Sequence, residues 1–181
     1  LIVLVIALTG CSSKVGTGTS GNTGDPVSTG NPFETEKLYV AGWLRTIAIK
    51  DSTKKRRDSF FNNIHLFNEI NPVWYDVTCP GWDTRTYDPT IVEWASRYRV
   101  KVIPTLSNVW LTENGNGAKI VNELISNEAG RIKHVQDIVQ LVTGNGYDGI
   151  DINYENVVTT PIDNGNNQFT DFICLLSQEL A

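Results

Sequence analysis

Apolar residues along this chain fall into two alternating rhythms. In "KLYVAGWL" (residues 37–44), "INPVWYDV" (70–77), "VKVIPTLSNVW" (100–110) and "YDGIDINYE" (147–155) they run nearly uninterrupted. These runs are short and rich in β-branched and aromatic side chains, which predicts strands covered on both faces. Between them the period lengthens. A polar stretch over residues 52–63 has moderate helical character. Asp88-Pro89 supplies a capping side chain and a ring with preset φ ahead of "TIVEWASRY", a helix start. Ile132, Val135, Ile138, Val139 and Val142 recur at helical spacing, and Gly144 and Gly146 end that helix. "NQFTDFICLLSQEL" (167–180) reads as a last helix. Strand then helix, four times over, predicts an α/β fold with a parallel sheet.

Two architectures share that pattern. An open sheet that binds a dinucleotide wants a glycine-rich turn after its first strand, but "RTIAIKDST" follows here and holds no glycine. The closed (β/α)8 TIM barrel is therefore the expected architecture. Such barrels take about 250 residues, so residues 33–181 are expected to supply only the first four βα units, an N-terminal half.

The start of the chain has a different character. "LIVLVIALTGC" has the apolar core of a secretory leader without the basic residues that normally precede it, and the chain has no methionine. Residues 1–10 are expected to be a signal peptide shortened at its beginning. Leu8-Thr9-Gly10-Cys11 resembles the lipobox of bacterial lipoproteins, which implies cleavage before Cys11 and acylation of its sulfur. Two or more acyl chains hold a protein stably on a membrane. Residues 12–32 are dominated by Gly, Ser, Thr and Asn and read as a flexible tether. Anchor, tether and domain together predict a lipid-anchored protein outside the cytoplasm. The net charge of −5 argues against a nucleic-acid partner, and Lys54-Lys55-Arg56-Arg57 is flanked by Asp51 and Asp58. A monomer is expected. Cys79 and Cys174 read as small buried hydrophobes rather than halves of a bridge. His65 and His134 lack metal-ligand companions, so neither metal nor cofactor is implied.

The chemistry concentrates in the fourth strand. Side chains alternate across a strand, so Asp151, Asn153 and Glu155 share one face while Ile150, Ile152 and Tyr154 share the other. The apolar set should meet the helices and the polar set the barrel interior. Glu155 falls at the carboxyl end, where barrel enzymes place their chemistry, about 13 Å from Asp151 by extended spacing. A core of polar layers, with Asp151 as a satisfied interior acid, is the structural alternative.

"DGIDINYE" (148–155) is similar to the D-G-x-D-x-D-x-E signature of glycoside hydrolase family 18, the chitinase-type barrels. The longer stretch "NELISNEAGRIKHVQDIVQLVTGNGYDGIDINYENV" (122–157) resembles the subgroup of spore-cortex and cell-wall N-acetylglucosaminidases. The resemblance implies that Glu155 protonates the glycosidic oxygen. It also implies a nucleophile supplied by the substrate's own 2-acetamido oxygen, oriented by the residue at Asn153 and supported electrostatically by Asp151. Asp148 and Gly149 take structural places in the motif. Trp43, Trp74, Tyr75 and Trp110, near strand ends, are candidates to stack on sugar rings, and Asn156 joins the substrate-binding set. Asn153 departs from the signature. Its amide still accepts a hydrogen bond from an acetamido N–H but brings no negative charge. "PTLSNVW" also lacks the serine and paired glycines of true chitinases, which leaves chitin, peptidoglycan and spore-type glycans open. Two functions fit: a glycosidase acting on an N-acetylated polysaccharide, or a weakly catalytic, lectin-like surface protein. A scaffold that reuses the fold is a third.

Overall fold

The computed structural model describes residues 4–7, 38–45, 51–84, 86–109, 116–157 and 167–181. Cys11, the tether and Trp110 lie outside the described residues, as does most of the leader. Its residues Leu4–Ala7 form a strand, β1. The other elements follow in chain order: β2 (Ala41–Leu44), α1 (Asp51–Asn63), β3 (Glu69–Val77), β4 (Trp82–Asp83), α2 (Pro89–Tyr98), β5 (Lys101–Val102), β6 (Thr105–Ser107), α3 (Gly117–Ile125), α4 (Glu128–Asn145), β7 (Gly149–Asn153) and α5 (Gln168–Glu179). A 3-10 turn, Ile64–Leu66, joins α1 to β3.

The sheet order is β1-β7-β6-β3-β2, with β4 and β5 also on β3. β2, β3, β5, β6 and β7 are parallel to their neighbours among that set, with helix between β2 and β3, β3 and β5, and β6 and β7, as the strand–helix alternation predicts. β1 is the exception, running antiparallel along the outer edge of β7 from Leu4↔Ile152 to Ala7↔Gly149. β4 folds back antiparallel on the end of β3.

Local chemistry explains most boundaries. Asp88 caps α2 by accepting from the Thr90 N–H, with Pro89 as its first residue. Asn127 and Asn167 cap α4 and α5 in the same way. Gly146 ends α4 at φ +65, a left-handed position that glycine takes without strain. One predicted element was divided and one helix was added. The third strand is broken into β5 and β6 at Ile103-Pro104, where Pro104 has no N–H to donate to a ladder. The helix ahead of β7 is preceded by a separate α3, and the chain turns between them at Ser126-Asn127. Gly130 sits at that corner because an added Cβ would lie 2.3 Å from the Leu124 carbonyl oxygen.

Apolar side chains from the sheet and the helices make one core, including Ile70, Trp74, Leu106, Ile138, Ile150, Ile152, Phe172 and Leu176. The two cysteines are not in it. Cys79 and Cys174 are both exposed and unbridged, which overturns their reading as buried hydrophobes. Cys79 follows the end of β3 in a turn. Cys174 lies on α5 between Phe172 and Leu176, whose four-residue spacing points that pair inward and leaves Cys174 outside.

His134 is also more than a surface residue. It is buried on α4, its Nε2 2.7 Å from the Tyr154 hydroxyl, and its ring packs with those of Tyr154 and Phe172 in a three-ring cluster. Burial pushes its pKa down from 6.5 to about 4. The unfolded chain therefore binds this proton more readily than the folded one. Stability from neutral His134 is complete above pH 6.5 and is lost as pH falls towards 4, by about 3 kcal/mol at most. Urea denaturation should show a midpoint that drops across this window, and His134→Gln should remove about one proton's worth of that slope. An identical slope in the variant would mean that His134 protonates as easily folded as unfolded.

Candidate active site

The face of the sheet opposite the helices carries polar residues in rows. Register places Thr105 beside Asp151, and Ser107 between Asp76 and Asn153. Glu69 and Asn71 lie at the amino end of β3. Glu69, Asn71, Asp76, Thr105, Ser107 and Asp151 are all buried. Such groups require internal partners, because water is not there to solvate them.

Asp151, like Ser107, has no exposed surface. Its Oδ2 accepts from the Thr105 hydroxyl at 2.7 Å and from the Trp43 indole N–H at 2.8 Å. Its Oδ1 has no hydrogen-bond partner among the described residues. Burial raises the pKa of this carboxyl, the two donors pull it down, and the negative charge of Glu69 adds to the rise; the net direction is up. Glu69 accepts from the Tyr39 hydroxyl at 2.9 Å and from Asn71 Nδ2 at 3.1 Å. Burial, then that bond to Glu69, pushes Tyr39 up to about 12.

The Trp43–Asp151 contact reports the shape of the sheet. Trp43 is on β2 and Asp151 on β7, with β3 and β6 between them. Three strand spacings amount to roughly 14 Å in a flat sheet, more than the two side chains can span. A 2.8 Å hydrogen bond requires that the sheet curl towards this face. The concavity so formed is lined by the polar rows.

At the carboxyl end of β7, Glu155 is half-buried and Asn153 beneath it is likewise part-exposed. The main chain of Glu155 is held by a side chain: Asn108 Nδ2 donates to its carbonyl at 2.9 Å, and Asn108 Oδ1 accepts from its N–H at 2.8 Å. Asn156 then turns the chain away at φ +57 and is exposed. At the other end of the strand, Asp148 Oδ2 accepts from the Val102 N–H at 2.9 Å while the Asp148 N–H donates to the Val102 carbonyl. Asp148 thus fastens the start of β7 to β5, and Gly149 is the first paired residue of β7.

The aromatic candidates separate. Trp43 is 56% exposed although its indole N–H is tied to Asp151, so an accessible aromatic residue stands beside the polar wall. Trp74 and Tyr75 are placed in the packed interior instead. Trp74 packs edge-on against Tyr87, and the Tyr75 hydroxyl is 2.7 Å from that of Tyr147. Neither presents a ring face to solvent in this structure. Thr105, Glu69, Asn71 and Asn108 were not singled out by the sequence pattern. The alternation in "TLS", which puts Thr105 and Ser107 on one face of a strand, is a signal that could have found two of the wall positions. Among the described residues no cluster of three His, Cys, Asp or Glu side chains is arranged to hold a metal ion.

No family model matches the chain. It is 31% identical over 144 residues to a Bacillus subtilis (strain 168) protein that carries the name sporulation-specific glycosylase YdhD, a match covering 78% of this chain and 32% of that protein. Its fold is similar to crystal structures of the spore cortex-lytic enzyme SleL. For the Bacillus cereus enzyme the TM-score is 0.56 at 17% identity, covering 67% of this chain and 28% of that one. For the Bacillus megaterium QM B1551 enzyme it is 0.57 at 17% identity, covering 77% and 32%. The chain thus spans about a third of the length of the proteins it matches. The likeness to the two SleL structures is one of fold, and in this chain that fold is mixed α/β with a parallel sheet.

The Asp151 site generates a direct test. Thr105→Val keeps the shape of the side chain and removes a donor to a buried carboxylate. It should destabilise the protein by about 1–3 kcal/mol near neutral pH and by less in acid, where Asp151 takes up a proton. Denaturant midpoints at two pH values measure this; equal losses at both would mean that Thr105 does not act through the carboxylate.

Proposed function

We propose that this chain contributes the first four βα units of a (β/α)8 glycosidase that cleaves an N-acetylglucosamine-containing polysaccharide, with Glu155 as general acid. The observation that carries the reading is the placement of Glu155. It follows the carboxyl end of a parallel strand by two residues, stands half-exposed above a wall of buried polar residues, and has its main chain held by Asn108, just past the end of the neighbouring strand. Similarity to a protein named as a glycosylase supports a glycan-cleaving hydrolase, and the curled sheet supports closure into a barrel. In that barrel the outer edge of β7 belongs to a fifth parallel strand, so barrel closure and pairing with β1 are alternatives for one edge.

Each residue then has a part. Glu155 donates its proton to the oxygen between two sugars as the bond breaks. The substrate's acetamido oxygen attacks the anomeric carbon from within the same sugar, so no second carboxylate is required as nucleophile. Asn153, one pleat below the acid, accepts a hydrogen bond from the acetamido N–H and holds that group in line. Asp151 supplies negative charge underneath. The accessible Trp43 side chain offers a platform for a sugar ring. An acyl group on Cys11 and the following tether would hold the protein on a membrane outside the cytoplasm.

Asn153 favours a second reading, a surface protein that binds glycan and turns it over slowly. An amide in this place forgoes the charge that would stabilise a developing cation. Two substitutions in the natural protein containing this chain separate the readings, with release of sugar from N-acetylglucosamine oligomers as the assay. Glu155→Gln should lower turnover by about 10²–10⁴-fold while oligomer binding persists. Asn153→Asp should raise turnover by up to about 100-fold, in the range of a single charge-stabilising group. Binding without turnover in both the parent and Asn153→Asp establishes the lectin, and turnover that survives Glu155→Gln removes Glu155 as the acid.

A further inference from the structure

We infer that Asn108 is a positioning residue for Glu155, setting where the acid stands relative to the bound sugar; the inference rests on Glu155 being the acid. The main-chain ladder between β6 and β7 ends at Ser107↔Asn153, two residues short of Glu155. Beyond it the β6 chain turns off, with the Val109 N–H donating to its own Ser107 Oγ at 3.1 Å. Glu155 would therefore stand on unpaired backbone just where the chain enters the left-handed turn at Asn156. The Asn108 side chain takes over as a surrogate strand. Its amide offers one donor and one acceptor in a plane, and both are used, on the carbonyl and the N–H of the same residue.

Two further features mark this as a positioning contact rather than an incidental surface bond. Asn108 is only 3% exposed, so water does not compete for the amide. It also holds the backbone and leaves the Glu155 carboxyl alone, so the acid stays available to substrate while its Cα is fixed from just past the end of the adjacent strand. Only an amide can do this. A carboxylate at the same place keeps the acceptor but sets a negative oxygen against the Glu155 carbonyl. An aliphatic residue offers neither bond. Displacement of a catalytic group by about 1 Å is enough to slow a reaction about 100-fold.

The test uses the natural protein that contains this chain, a chromogenic N-acetylglucosamine oligomer, and three variants measured beside Glu155→Gln. Asn108→Asp, of the same size, should lower kcat at least tenfold while KM stays within about twofold. Asn108→Gln retains donor and acceptor on a longer arm, and should recover part of kcat relative to Asn108→Ala at unchanged KM. If Asn108→Asp does not fold, the Gln and Ala pair carries the same comparison. A purely structural asparagine would lower the melting temperature and leave kcat per folded molecule unchanged; folded variants with parental kcat, beside an inactive Glu155→Gln, overturn the positioning role. An active Glu155→Gln overturns the acid assignment and the positioning role together.

Discussion

The hydrogen bond from the Trp43 indole to Asp151 joins the first and last parallel strands of the sheet across its polar face. Much of the structure follows from what that bond requires. A flat sheet would leave the two groups too far apart, so the strands between them must curl. Once they do, the polar side of β3, β6 and β7 becomes the lining of a hollow and the apolar side the surface on which the helices pack.

The interior of the hollow has its own constraint. Six polar or charged side chains, Glu69, Asn71, Asp76, Thr105, Ser107 and Asp151, lie buried along it. Burial of this kind is unfavourable unless each group finds partners, and an apolar layer of the same shape would pack with less risk. The polar lining therefore argues for use rather than for stability. It grades upward along β7: Asp151 is wholly enclosed, Asn153 and Glu155 are part-open, and Asn156 faces solvent. Charge that is costly at the base becomes accessible at the rim, which is the order that the proposed glycan-cleaving role requires.

The amino-acid sequence disclosed what is local and periodic. Asp88-Pro89 announces its helix because cap and ring act within one turn, and Asp151 and Asn153 declare a shared face through simple alternation. What it left hidden is of longer range. Trp43 and Asp151 are 108 residues apart, and nothing near either residue announces the other. Asn108 looks like the polar end of a strand until Glu155 is seen beside it. Trp74 and Tyr75 sit near a strand end, as sugar-stacking rings would, yet Tyr87 and Tyr147 cover them from outside their own strand. The run "FICLL" reads as wholly buried, but helical geometry buries Phe172 and Leu176 and turns Cys174 out.

The curl of the sheet is open to direct measurement through the indole N–H of Trp43, one of five tryptophans. In a ¹⁵N-labelled protein, the indole resonance lost in Trp43→Phe should exchange with solvent at least tenfold more slowly than a free indole, although the residue is 56% exposed. It should also move upfield when Asp151→Asn weakens the acceptor. An indole N–H that exchanges at the free rate and ignores the Asp151 substitution would mean that β2 and β7 do not meet across a hollow, and the site built on their meeting would not exist.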